Sequence, residues 1–230
     1  MFKREHHKRI ASILQALNAD LLDQHQCLFG GGTAIVLARD EYRESVDIDF
    51  LVSDSSGYRD LRQLLVSKGI AAIARPGMQI VSMREVRADQ YGVRTMLQAD
   101  DIEIKFEIVF ESRIELETSG KNSKICGVST LTSLDMATTK LLANSDRWSD
   151  SSVYSRDVID LAMVGLPKDE LALAKSKAAE VYGESIQRDL EKAIDFLAMR
   201  KGRLEQCMDA LKIDTVPKAL LWKKIKNLRD

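Results

Sequence analysis

Cysteine is scarce in this chain, long apolar runs are missing and net charge is close to zero. Each shortage removes a class of protein. Cys27, Cys126 and Cys207 are the only cysteines, and they stand far apart in no metal-binding or redox spacing. Reduced thiols in a cytoplasmic protein are therefore expected. No apolar stretch approaches the ~20 residues that span a bilayer, so no membrane role is expected. The basic start, Met1 to Arg9, is followed by no apolar segment or small-residue cleavage site, which argues against a secretory signal. Lys and Arg number 34 against 35 Asp and Glu, a net charge of −1, so the whole protein makes no case for nucleic-acid binding. A local basic face remains, at Lys218, Lys223, Lys224, Lys226 and Arg229. Internal repeats and low-complexity stretches are absent. The three histidines, His6, His7 and His25, show no partner pattern, and no role is assigned to them.

The 230 residues, 45% hydrophobic and 30% charged, have the balance of an ordinary globular protein large enough for a proper core. Residues 9–25 carry the stripe of an amphipathic helix at Ile10, Ile13, Leu14, Leu17, Leu21 and Leu22. Cys27-Leu28-Phe29 reads as a strand ending at Gly30-Gly31-Gly32, followed by a short helix over 33–40 and a strand over 46–52. A helix is expected at 58–68, and strands at 80–86, 91–98, 102–111, 114–118 and 125–128. Turns are expected at Pro76-Gly77, Ala99-Asp100-Asp101 and Gly120-Lys121-Asn122. After Thr130 the pattern becomes helical, at 133–143, 153–164, 168–182, 185–199, 203–211 and 218–228. The expectation is an α+β protein with a mixed α/β lobe over residues 1–130 and an all-helical lobe over 131–230.

The chemistry concentrates where the glycine turn and the next strand meet. Residues two apart on a strand project to one face, so Asp47 and Asp49 present adjacent carboxylates while Ile48, Phe50 and Val52 take the other face. Adjacent carboxylates repel, which a hard divalent cation such as Mg²⁺ relieves, and such ions share their oxygen ligands with substrate phosphates. The Gly31-Gly32 backbone can approach phosphate closely at a helix N-terminus, and Thr33 adds a hydroxyl. Taken singly, a glycine turn is usually only a turn, and an Asp-x-Asp is usually a solvated strand face. Residues 101–111 alternate strictly, with Glu103, Lys105, Glu107 and Glu111 on a face that reads as solvated in an antiparallel sheet. Trp148 and Trp222 read as packing residues.

Phe29-Gly30-Gly31-Gly32-Thr33-Ala34, followed by Arg43-x-Ser45-x-Asp47-Ile48-Asp49-Phe50, resembles the polymerase-beta-like nucleotidyltransferases. More narrowly it is similar to the AbiEii/AbiGii-type toxins. A second block, Leu134-Asp135-x4-Lys140-Leu141-x-Ala143-x2-Asp146-Arg147 and then Arg156-Asp157-x2-Asp160-Leu161, carries the likeness to about residue 165. The resemblance implies that Gly31, Gly32, Thr33 and Ser45 bind a nucleoside triphosphate, Ser45 alternatively being support for the loop before Asp47. It further implies that Asp47 and Asp49 hold Mg²⁺ or Mn²⁺. Glu107 stands where the family often has an aspartate, as the third metal ligand, with Glu103 four residues earlier on the same face. Lys140 would contact phosphate, and Asp157 would orient it or take part in catalysis. As structural residues, Asp157 and Asp160 would pair with Arg156 or Arg147.

The function implied is Mg²⁺-dependent transfer of a nucleotide to RNA (such as tRNA) or protein. The enzyme would be a toxin restrained by an antitoxin protein. An enzyme with a small-molecule acceptor and a non-catalytic module retaining the fold are the competing readings. Intact Asp47, Asp49 and Lys140 argue against the latter.

Overall fold

The computed structural model describes residues 2–117 and 123–229, so the turn expected at Gly120-Lys121-Asn122 lies outside the described residues. The chain divides into two compact units, one of residues 1–37 and 45–132, the other of 38–44 and 133–230. The class is α+β: a mixed five-stranded sheet with helices in the first unit, and helices in the second.

The first unit opens with α1 (Glu5–Ala16) and α2 (Ala19–Gln24). The sequence pattern predicts one helix here. Asn18 divides it, because its side chain accepts from the Leu21 N–H at 3.2 Å and so caps a new helix. Strand β1 (Leu28–Gly30) runs into α3 (Gly31–Ala38), and β2 (Ile48–Val52) leads to α4 (Ser55–Lys68), which Asp54 caps through the Gly57 N–H. Strands β3 (Arg87–Ala88), β4 (Gly92–Ala99) and β5 (Ile102–Phe110) complete the sheet, in the order β1-β2-β5-β4-β3. Within this sheet β2 and β5 pair in parallel, and the β1–β2, β4–β5 and β3–β4 pairs are antiparallel. A small hairpin, β6 (Lys124–Ile125) and β7 (Val128–Ser129), closes the unit.

Two expected strands do not form. Residues 80–86 contribute a single bridge, Ser82 to Leu97, and of the strand expected at 114–118, residues 114–117 lie outside any strand while 118 lies outside the described residues. Residues 80–86 meet β4 only around that bridge, through Met83 N–H to the Met96 carbonyl and Gln98 N–H to the Val81 carbonyl, and apolar content without a continued ladder does not make a strand. The strict alternation of β5 survives, with Ile104, Phe106 and Ile108 fully buried. Phe29, Phe50 and Phe106 form a ring row in this core, with centroids 5.5 and 5.7 Å apart.

The second unit is built on α5 (Ser133–Arg147), which packs against α6 (Arg156–Val164), α7 (Lys168–Tyr182) and α8 (Ser185–Met199). Helices α9 (Arg203–Ala210) and α10 (Lys218–Lys226) follow. Leu221, Ile225 and Leu228 of the last segment are buried, whereas Leu220 is exposed. No described helix is long and apolar enough to cross a membrane.

Candidate active site

Asp47 is the residue immediately before β2, and Asp49 is the second residue within it. Both are half-buried, whereas Ile48 and Phe50 between and beyond them are completely buried. The sheet then sets a row across its open face. Gly30 pairs with Asp49, Asp49 with Glu107, Glu107 with Arg94, and Arg94 with Arg87.

The glycine turn lies against the second aspartate. Gly31 has φ of +65°, and a Cβ there would come within 2.4 Å of Asp49 Oδ2 and 2.9 Å of Asp49 Cβ. Glycine is thus demanded twice, by the left-handed backbone and by the carboxylate occupying the space a side chain would need. The turn and the carboxylate, separated by 18 positions in the sequence, are in contact.

Thr33 and Ser45 are buried beside this contact. The Thr33 hydroxyl donates to the Asp47 carbonyl and lies 2.8 Å from the Ser45 hydroxyl. The hydrogen expected for a phosphate is therefore committed to the backbone at Asp47, tying α3 to the start of β2. Two histidines complete the support. The Ser45 N–H donates to His7 Nε2 at 3.1 Å, and His6 Nε2 lies 3.0 Å from the Val46 carbonyl. Neither contact is legible as a partner pattern along the sequence. The signal was positional: His7 lies three residues before Ile10 and seven before Leu14, in the buried stripe of α1, where a polar side chain needs a partner.

Glu107 does stand beside Asp49 in register, but its carboxylate is held elsewhere. Oε2 lies 2.6 Å from Lys105 Nζ and Oε1 lies 3.1 Å from Arg94 Nε. Among the described residues no three His, Cys, Asp or Glu form a group that could hold a metal ion. Asp47 and Asp49 are the half-buried carboxylates nearest the glycine turn and are of the oxygen-donor type that could hold Mg²⁺ or Mn²⁺. Two carboxylates suffice where substrate phosphates supply the other oxygens. Of the other acids on β5's open side, Glu103 is exposed and pairs with Arg84. Glu111, expected to be solvated, is instead buried and paired with Arg113.

Lys140, Asp157 and Asp160 belong to the helical unit, where they form one buried network. Lys140 Nζ lies 3.0 Å from Asp157 Oδ1 and 2.8 Å from Asp160 Oδ2. Arg147 adds two bonds to Asp157, at 2.7 and 3.0 Å. Arg43 grips Asp160 through both oxygens, at 2.7 and 2.8 Å, and the Tyr42 hydroxyl donates to it at 2.6 Å. Burial alone would push both carboxyls up, but the facing cations overcome it and hold both below the usual carboxylate range. Burial likewise works against the Lys140 charge, and Asp160 and Asp157 outweigh it, raising its pKa. Asp157 thus pairs with Arg147, one of the two alternatives, and orients Lys140. Arg43, Lys140 and Arg147 against Asp157 and Asp160 leave one surplus positive charge.

The basic C-terminal face is partly spent. Lys218 pairs with Glu205 and Arg229 with Asp195, while Lys226 lies over the Trp222 ring. Lys223 is exposed.

Two solved structures from Helicobacter pylori share the fold. One is of a protein provisionally assigned as a nucleotidyltransferase, at 17% identity and TM-score 0.51, covering 97% of this chain and 93% of that one. The other is of JHP933, at 16% identity and TM-score 0.52, covering 100% and 94% respectively. The family model described as nucleotidyl transferase AbiEii toxin, type IV TA system, matches residues 12–226. The chain belongs to this family of nucleotidyltransferase toxins of type IV toxin–antitoxin systems. No curated protein matches it.

Proposed function

We propose that this toxin, in the cytoplasm, transfers a nucleoside monophosphate from a Mg²⁺-bound triphosphate to RNA, such as tRNA, or to protein, and that a cognate antitoxin protein restrains it. The observation that carries the reading is the Asp49 carboxylate packed into the space over Gly31, which supports assigning phosphate to the turn and metal to the side chain beside it. In this reading the Gly31, Gly32 and Thr33 backbone N–H groups hold the triphosphate. Asp47 and Asp49 hold the cation, which when bound neutralises phosphate charge and acidifies the acceptor hydroxyl. The Thr33 and Ser45 hydroxyls keep Asp47 in place. Lys140, oriented by Asp157, supplies positive charge to the nucleotide phosphates, and Glu107 holds Arg94 and Lys105 on the sheet face. Positioning and electrostatics carry most of such a reaction, and little covalent chemistry falls to the protein.

The test incubates the protein with each α-³²P-labelled NTP, Mg²⁺ and total cellular RNA or protein. Label entering one macromolecular pool, and lost in Asp47→Asn, is the expected result. Label confined to small molecules would favour the small-acceptor enzyme, and no label in any pool would favour the non-catalytic module.

A further inference from the structure

His7 has no exposed surface at all, and a buried imidazole ring is retained only with its nitrogens satisfied. Because the Ser45 N–H donates to it, Nε2 carries no proton, and the ring serves as an acceptor there. From His7 the bonds run on through Ser45 to Thr33, and from the Thr33 hydroxyl to the Asp47 carbonyl. His6, its neighbour on α1, meets the Val46 carbonyl, which can only accept, so that ring donates. Adjacent histidines of opposite hydrogen-bonding sense therefore hold the three residues that end at Asp47. His7 also precedes residues 12–226, the stretch the family model matches, so this support is not part of that likeness.

We infer that His7 is a positioning residue of the nucleotidyl-transfer site, acting as a fixed acceptor that sets the Asp47 backbone through Ser45 and Thr33. The inference rests on the reading of Asp47 as a cation-holding residue. Asp47 sits outside the strand ladder, so β2 pairing does not place it, and the hydroxyl relay does. Removing the acceptor strands the Ser45 N–H in the interior. That amide must then turn toward another partner, and Asp47 moves with it.

The experiment compares His7→Gln with His7→Asn in the full chain. Both are polar amides, but only the longer glutamine brings a carbonyl oxygen near the Nε2 position. Mn²⁺ affinity is read by electron paramagnetic resonance, together with kcat and KM for transfer and the melting temperature. His7→Gln should stay near the wild-type Mn²⁺ affinity. His7→Asn should lose about tenfold or more, the usual scale for a group that orients a ligand, with kcat falling more than KM rises. Equal Mn²⁺ affinities in the two variants, with the wild type binding, would overturn the assignment of His7 alone. A wild-type chain that binds no Mn²⁺ would overturn the metal reading of Asp47, and the role of His7 with it.

Discussion

Replacing Gly31 by alanine adds one methyl group, and the structure puts a magnitude on its effect. The left-handed backbone at φ +65° costs an L-residue about 1–2 kcal/mol. The new carbon would lie 2.4 Å from Asp49 Oδ2 and 2.9 Å from Asp49 Cβ, where non-bonded carbons prefer about 3.5–4.0 Å. The Asp49 Cβ is anchored to β2, so the turn or the strand must shift, and over-packing of this kind costs about 1–3 kcal/mol. The sum is about 2–5 kcal/mol. Gly77 is the control, because it has φ of +82° with nothing within 4 Å of a built Cβ, and Gly77→Ala should cost only the backbone share, about 1–2 kcal/mol. Both tryptophans, Trp148 and Trp222, lie in the helical unit, so fluorescence would not see this site. Hydrogen exchange of peptides covering β1 and β2 is the suitable stability assay, with Mn²⁺ binding measured alongside. Gly31→Ala should expose those peptides faster and weaken Mn²⁺ binding about tenfold or more, with Gly77→Ala binding normally. Wild-type Mn²⁺ affinity in Gly31→Ala would refute the reasoning, because it would mean that Asp49 need not stay where it is.

Asp160→Asn leaves Arg43 and Lys140 buried with one carboxylate fewer, a loss of about 3–5 kcal/mol. At a slope near 2 kcal/mol per molar urea this lowers the midpoint by about 2 M in tryptophan fluorescence, and a shift under about 0.5 M would refute it. The same network fixes the acid response. Asp157 and Asp160 titrate lower folded than unfolded, so their stabilisation is complete above about pH 5 and is lost as pH falls below about 4 towards the folded values. Asp160→Asn should flatten that acid limb of the fluorescence-detected unfolding curve, and an unchanged slope would show that the network is not its source. Glu107→Gln should leave Mn²⁺ affinity close to wild type, because its oxygens face Lys105 and Arg94, whereas Asp49→Asn should abolish binding. Equal losses in the two would restore Glu107 as a third ligand.

Helical periodicity and its punctuation were enough to delimit α7 between Pro167 and Gly183, and α8 up to Met199. Alternation alone placed Ile48 and Phe50 inside, with Asp47 and Asp49 turned away from them. These are short-range properties, since a repeat of two or of 3.6 residues determines which side chains share a face. The split of α1 from α2 was equally local and rests on one cap, Asn18. Partner choice was not local. Arg43 meets Asp160 across 117 positions and His7 meets Ser45 across 38. Residues 38–44 belong with the helical unit although both flanking segments belong to the other. Glu107 has the register of a third ligand, yet its carboxylate is held by Lys105 and by Arg94, the latter on the neighbouring strand. A charged or polar group takes the partner that packing brings within bonding distance. Distance in space between remote residues is a property of the folded chain, which no local pattern along the sequence encodes.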